Sequence, residues 1–534
     1  MTNSTALSVL ILVCVLLGIC SFFRRRATSS TLPPGPKGYW LIGNVDEFFS
    51  GYQWKRFSDL SKTFGEILYM SIFGRPVVIL NRFEDARQLM DKHGSACSDR
   101  PRMVYLVDML RIRSATFMPY GDDWRAHRRL MQQYLNTRAI ASFRKAQSRS
   151  VHHLLNDILS EPDAFWDHIK RSVASAILFS TYGYDVKRKD DPLIALIAKS
   201  DGAFVRLGPP GFTPVDFFPF RAPFFLPFRR KVLLTGLAAP VRHILPSISG
   251  APFRTFLAEA QAALHEMCTW PYEIVREQKA SDSLVPSMLS RMLDNAEEQG
   301  ICSEYHYENI KDVCGSMYRA GVGTTSSVLF IFIVAMILHP HVAFKAQKEL
   351  DAVLNGDRLP TFEDQDSLPF ITCILKETLR WAPPFPLGIA HRTTEEVELT
   401  GMRIPKCSSV VPNIWQMMHD ERNYAEPEIF DPDRFMGSNH DTSPVLDPTM
   451  VVFGFGRRIC PGRHFAEAFL WIAMASILSV FDVLPIQDEH GKDILPKVDF
   501  RIRLNSWSLK EFPGRFVVRS KRSKVLIKSS KEIL

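Results

Sequence analysis

No two cysteines in this chain are spaced C-x-x-C, and the nine present are scattered: Cys14, Cys20, Cys97, Cys268, Cys302, Cys314, Cys373, Cys407 and Cys460. An odd, dispersed set argues against a disulfide framework or a zinc site and for a reducing compartment. Also lacking is any Lys/Arg run with interleaved aromatics, so a nucleic-acid module is not indicated. The excess of 65 Lys and Arg over 57 Asp and Glu, a formal charge of +8, suits a face that meets anionic lipid or an acidic protein. There are no internal repeats and no clear domain break. What is present is an ordinary globular balance, 46% hydrophobic and 23% charged, over a length that can bury a large core.

Charge is missing altogether from Ala6 to Phe23, an aliphatic stretch long enough to span a bilayer as a helix. No Lys or Arg precedes it, and Arg24, Arg25 and Arg26 follow. A cleaved signal peptide would carry the opposite asymmetry. The expectation is an uncleaved anchor over residues 1–26, with the arginines cytosolic. Residues 27–50 form a Pro-rich linker and the start of the body, where Pro33-Pro34-Gly35-Pro36 reads as a stiff spacer. Residues 51–534 form the body.

Within the body, Glu66 to Ser71 and Arg75 to Asn81 predict a hairpin around Phe73-Gly74. Helical periodicity predominates over Phe83–His93, Asp122–Asn136, Glu308–Leu338, Ala343–Leu354 and Pro369–Trp381. The fold class is mainly α with small β-sheets. Gly208 to Arg230 is dense in Pro and Phe, which excludes a spanning helix. It reads either as an irregular loop over the core or as a surface patch that dips into a membrane.

The stretch that carries chemistry runs from Phe453 to Gly462, F-G-F-G-R-R-I-C-P-G. Pro461 favours a first helical turn, so Cys460 sits at a helix amino end, where N–H groups and the dipole stabilise a thiolate. Gly456 and Gly462 let the backbone lie against a flat cofactor. Arg458 suits a porphyrin propionate and Phe453 shields the sulfur. The pattern F-x-x-G-x-R-x-C-x-G resembles the signature of the cytochrome P450 family.

Other segments, from about Pro33 to Phe512, are similar to that family in the same order. Glu377-Thr378-Leu379-Arg380 resembles its E-x-x-R, and Phe430 to Phe435 its later arginine motif. The resemblance implies that Glu377, Arg380 and Arg434 form a buried structural charge cluster. It implies that Trp124, Arg128, Arg458 and His391 hold haem propionates, and that Thr324 steadies dioxygen and relays protons. In Ala320-Gly321-Val322-Gly323-Thr324-Thr325, Gly323 stands where the family has Asp or Glu, so water or an acid from another segment takes that part. Two glycines in one helix point to close approach of a ligand. Cys407 stands where glycine is usual. Residues 221–240 look like extra material, either a lineage-specific membrane loop or an unspliced intron.

The resemblance therefore implies a cytochrome P450 fold behind an N-terminal transmembrane helix. The cofactor is haem b, iron protoporphyrin IX, with Cys460 as axial ligand. The activity is a monooxygenase fed by NADPH-cytochrome P450 reductase, with cytochrome b5 as a further donor, acting on a hydrophobic small molecule. The place is the endoplasmic reticulum membrane, single-pass, with the body cytosolic. Motif style resembles fungal members of secondary metabolism. A haem-thiolate isomerase or dehydratase independent of reductase is the alternative, kept open by Gly323.

Overall fold

β1 (Ile67–Ile72) and β2 (Arg75–Leu80) pair antiparallel from Ile67↔Leu80 to Ile72↔Arg75. β2 buries consecutive Val77, Val78, Ile79 and Leu80, so both of its faces are covered, and the turn between the strands is Phe73-Gly74, with φ of 47° and 78°. That is the mirror-type two-residue turn whose twist matches the strands. Glycine takes it freely, whereas a side chain there costs about 1–2 kcal/mol. In the computed structural model, the described residues are 32–49, 51–187, 190–205, 216, 251–437, 445–503 and 506–530. The expected anchor over 1–26, the expected insertion 221–240 and, Asp216 apart, the Pro/Phe-dense stretch 208–230 lie outside them.

Far along the chain come β3 (His391–Arg392), the hairpin of β4 (Val397–Leu399) and β5 (Met402–Ile404), and β6 (Ser409–Pro412). β6 pairs parallel to β2 and antiparallel to β3, giving the order β1-β2-β6-β3. The outer edge of β1 is not bare. Tyr69 N–H donates to Pro34 O (2.8 Å) and Asn44 N–H to Ser71 O (2.6 Å). Gly43 makes this approach possible: its φ is +71°, and a Cβ there would lie 1.9 Å from Ser71 O. From Pro34 onward the expected spacer is thus bound to the sheet. α1 (Gln53–Phe64) buries Trp54 and Phe57. The described residues up to 99, with 391–413, form the smaller of two compact units.

The described residues of 100–390 and 414–534 form the larger unit, and they are mostly helical. Its principal helices are α2 (Asp122–Leu135), α3 (Arg144–Ser160), α4 (Phe165–Tyr182), α5 (Ala251–Ala280), α6 (Glu304–Leu338), α7 (Pro340–Leu354), α8 (Pro369–Trp381) and α9 (Arg463–Val480). Ser303 starts α6 by accepting the His306 N–H, and Pro340 prevents its continuation. From Thr325 to Ile337 every residue of α6 is buried, and α9 is nearly so from Phe469 to Val480. Helices apolar all round belong in a core. Both are long and apolar enough to cross a membrane, yet 67% of each apolar window is buried inside the protein. α6 packs against α2, α4, α5, α8 and α9. This arrangement sets the middle of α6 and the loop before α9 within one unit.

Candidate active site

The loop before α9 is closed by the Cys460 N–H, which donates to Phe453 O at 2.8 Å. Gly454 and Gly456 turn it with φ of 78° and 57°, a region where a side chain is strained. Cys460, Phe453, Gly456 and Gly462 are all half-buried, and nothing lies within 4 Å of where a Cβ on Gly454 or Gly462 would stand. The loop therefore leaves open space against Gly454 and Gly462. Burial pushes the Cys460 thiol up, while the Gly462 N–H and the charges of Arg128 and Arg463 pull it down, and burial wins. A bound cation at the sulfur would reverse that balance, because a coordinated thiol is deprotonated.

Arginines tie this loop to α2 and to the chain ahead of it. Arg458 donates to Ala115 O and Met118 O, both at 2.8 Å, and its guanidinium lies over the Trp124 ring at 4.7 Å. Trp124 in turn packs at a tilt of 44° against Tyr120, whose hydroxyl accepts from Arg457. Arg128, one turn from Trp124, donates to Ile459 O at 2.6 Å, and its buried Nε has no partner among the described residues. So Trp124, Arg128, Arg458, Phe453, Gly456, Gly462 and Cys460 are brought together. His391 lies in the smaller unit, buried on β3 with Nδ1 2.7 Å from Cys97 O.

Past its first turn, α6 has exposed residues only near its middle. Ala320 and Gly323 are exposed and Thr324 is half-buried, in a helix whose following turns are closed. Nothing stands within 4 Å of a Cβ at Gly323, whereas one at Gly321 would meet Ile177 Cδ1 at 2.7 Å. The two glycines thus do different things: Gly321 lets α4 pack closely, and Gly323 opens onto a void. The Thr324 hydroxyl donates to Ala320 O (2.9 Å), and Ser327 donates to Gly323 O (2.8 Å). Such back-bonding leaves both oxygens able to accept.

α8 carries the buried cluster. Arg380 makes two bonds to Glu377 (2.7 and 2.8 Å) and others to Met418 O, Pro427 O and Ile429 O. Arg434 donates to Glu377 at 3.2 Å and to Ala425 O, and the Asp431 N–H completes the carboxylate at 2.7 Å. Each charge is paired and hydrogen-bonded, the condition under which burial is tolerated. This pins residues 418–434 to α8, and Lys376 on α8 meets Asp447 (2.8 Å) just ahead of the cysteine loop.

Two groups were not legible in the sequence. Buried Arg100 donates to Thr116 O, Ile389 O and Ala390 O, fixing the segment that Arg458 also grips. Its partners are carbonyls, which every residue has. The second is a network of Arg113, His127, Asn309 and Asp312 between α2 and α6. Arg113 donates to Asp312 (2.8 Å) and to Asn309 Oδ1 (3.0 Å), so the His127 Nε2 near that same oxygen (3.1 Å) is a donor. Burial lowers His127 to about 4 and raises Asp312 to about 6.

The donor set fits an iron porphyrin: one sulfur with N–H and guanidinium support, a buried orphan Nε on Arg128, and glycines bordering open space. The sequence model of the family described as Cytochrome P450 matches residues 33–508. Cytochrome P450 monooxygenase 136 of Postia placenta is 32% identical, over 94% of this chain and 91% of its own. Cytochrome P450 monooxygenase claT of Ampulloclitocybe clavipes is 34% identical, over 92% of each. Cytochrome P450 monooxygenase CLM2 of Gibberella zeae is 32% identical, over 92% of this chain and 90% of its own.

Proposed function

Since the chain belongs to the cytochrome P450 family and is a monooxygenase of it, with the family's haem-thiolate cofactor, we propose that Cys460 ligates the iron of haem b. We propose further that NADPH-cytochrome P450 reductase delivers the electrons, and that the substrate is a hydrophobic small molecule of fungal secondary metabolism. The observation that carries this reading is the Cys460 sulfur, in a glycine-bordered cradle and supported by the Gly462 N–H and Arg128. Bound there, haem supplies the binding and cleavage of dioxygen, which thiolate electron density favours.

The chain's own residues have separate tasks. Cys460 anchors, and Phe453 keeps water from the sulfur. Arg128 turns its unpartnered Nε toward a propionate, and Trp124 and Arg458 hold the propionates beside it. His391 supplies a further propionate contact. Thr324, beside the void at Gly323, accepts and passes protons through water held there, in place of the acid the family usually has. Glu377, Arg380 and Arg434 keep the cysteine side rigid. An acidic reductase face suits the chain's positive excess. Residues 6–23 anchor the protein in the endoplasmic reticulum membrane, with the body cytosolic. Monooxygenases of fungi, similar over nearly the full length, support a fungal member of the family.

The test is spectroscopic first. The reduced, haem-loaded protein with carbon monoxide shows the red-shifted Soret band of thiolate ligation, and Cys460→Ala abolishes it. A band that survives that substitution refutes the assignment. NADPH consumption coupled to an oxygenated product, with reductase present, separates monooxygenation from a reductase-independent isomerisation.

A further inference from the structure

Past residue 508, where the family's sequence model ends, the chain continues into a further helix, α10 (Lys521–Ser529). From Phe512 to Lys531 there are seven Lys and Arg and no Asp or Glu. One face of α10 is buried: Ile527 is fully enclosed and Ser523 nearly so. The opposite face presents Lys521, Lys524, Val525 and Lys528, spaced i, i+3, i+4 and i+7 and all exposed, Val525 by 63%. Arg522 pairs with Asp357, but none of the three lysines meets a carboxylate among the described residues. This stripe works against the helix that carries it. Lys521, Arg522 and Lys524 stand in the first turn, at the positive end of the helix dipole, where acids are favoured and cations are not. Lys524 and Lys528 are like charges one turn apart, which repel. The helix holds because it is fastened from beneath. Ser520 Oγ accepts the Ser523 N–H at 3.0 Å, Asn156 on α3 donates to Ile527 O at 2.8 Å, and Arg519 donates to Asp351 at 2.9 and 2.6 Å. A cationic row kept rigid against the preference of its own helix marks a surface for binding.

The chemistry of the stripe sets its occupant. Lys521 and Lys528 are separated by about 10 Å along the helix axis, so the occupant is extended and not a single ion. An amphipathic helix that enters a bilayer turns its apolar face outward, whereas α10 turns Ile527 inward. No aromatic ring stands on the stripe for a nucleotide base to stack upon. Three point cations around one apolar side chain match an acidic protein helix whose carboxylates recur at the same spacing. The place separates that partner from an electron donor. Arg519, which leads into α10, donates its main-chain N–H to Val480 O and its guanidinium to Ser479 O, at the carboxyl end of α9. The 18 residues of α9 put that end about 27 Å from the cysteine loop.

We propose that Lys521, Lys524, Val525 and Lys528 form a docking stripe for an acidic helix of another protein, which leaves the cysteine side open to the electron donor. The test titrates the full-length, haem-loaded chain in detergent into a fluorescently labelled helical peptide, with Glu at i, i+3 and i+7 around a Leu at i+4, and reads its anisotropy. The peptide is expected to bind. Lys521→Glu together with Lys524→Glu is expected to weaken that binding about tenfold, yet to raise the melting temperature, because the new carboxylates suit the helix dipole. A peptide with Lys in place of its Glu is expected to bind the doubly substituted chain instead. Lys92→Glu together with Lys492→Glu, at exposed lysines elsewhere, controls for net charge and is expected to leave the affinity unchanged. No binding by the native chain, or an equal loss in the control pair, overturns the proposal. So does a short single-stranded RNA that displaces the labelled peptide more readily than unlabelled peptide does, which would assign the stripe to nucleic acid.

Discussion

Cys407 occupies a backbone conformation, φ +63°, that its Cβ disfavours, with its N–H bound to Thr393 O at 2.9 Å. The sequence flagged this position because glycine is usual there, and the geometry supplies the reason. Cys407→Gly is expected to stabilise the protein by about 1 kcal/mol, read as a higher unfolding midpoint. A lowered midpoint would mean that the thiol makes a contact outweighing the strain. His127 was not legible, because a lone histidine carries no sign of what surrounds it. Its folded pKa of about 4 lies below the ordinary 6.5, so the unfolded chain binds its proton first as pH falls. The stability tied to the neutral ring is whole above pH 6.5 and is lost between there and 4. Asp312, raised to about 6, acts in the opposite sense below that value. The difference between wild type and His127→Gln therefore isolates the histidine, and the variant should show the shallower fall of melting temperature from pH 6.5 to 4.5.

At the scale of the element, α6 shows what a helical pattern reveals and what it hides. Its length, cap and apolar character were readable, since they depend on residues within the helix. What its glycines do depends on the neighbouring helices. A Cβ on Gly315 would stand 2.4 Å from Cys268 Sγ, one on Gly321 would press Ile177, and one on Gly323 meets nothing. Gly323→Ala is accordingly expected to raise stability by about 1 kcal/mol through helix propensity. Gly315→Ala is expected to lower it by about 1–3 kcal/mol through overpacking against α5. Equal responses of the two variants in thermal unfolding would refute this reading of the void. Of the cysteine loop, the turn at a helix start and the left-handed Gly456 were legible because each demands a residue type at a fixed place, whereas Gly454, also left-handed, was not singled out, and Gly462 takes an ordinary φ of −86°. Arg100 and the carbonyls held by Arg458 were illegible for the opposite reason.

For the molecule as a whole, the mainly helical class was evident from periodicity, but the division into two compact units was not. β3 and β6 join β1 and β2 across some three hundred residues of intervening chain, and no local pattern records so distant a pairing. The binding of residues 34–44 along β1 was hidden likewise, since a Pro-Pro-Gly-Pro run looks the same free or docked.

That docking has a practical corollary for anyone who shortens the chain. Removing residues 1–31 leaves the sheet border covered. Removing residues 1–44 strips it, baring unpaired main-chain groups of β1 that invite pairing with another copy. The shorter deletion should elute as a discrete species in size-exclusion chromatography and the longer one as aggregate. If both elute alike, the border does not need its covering strap.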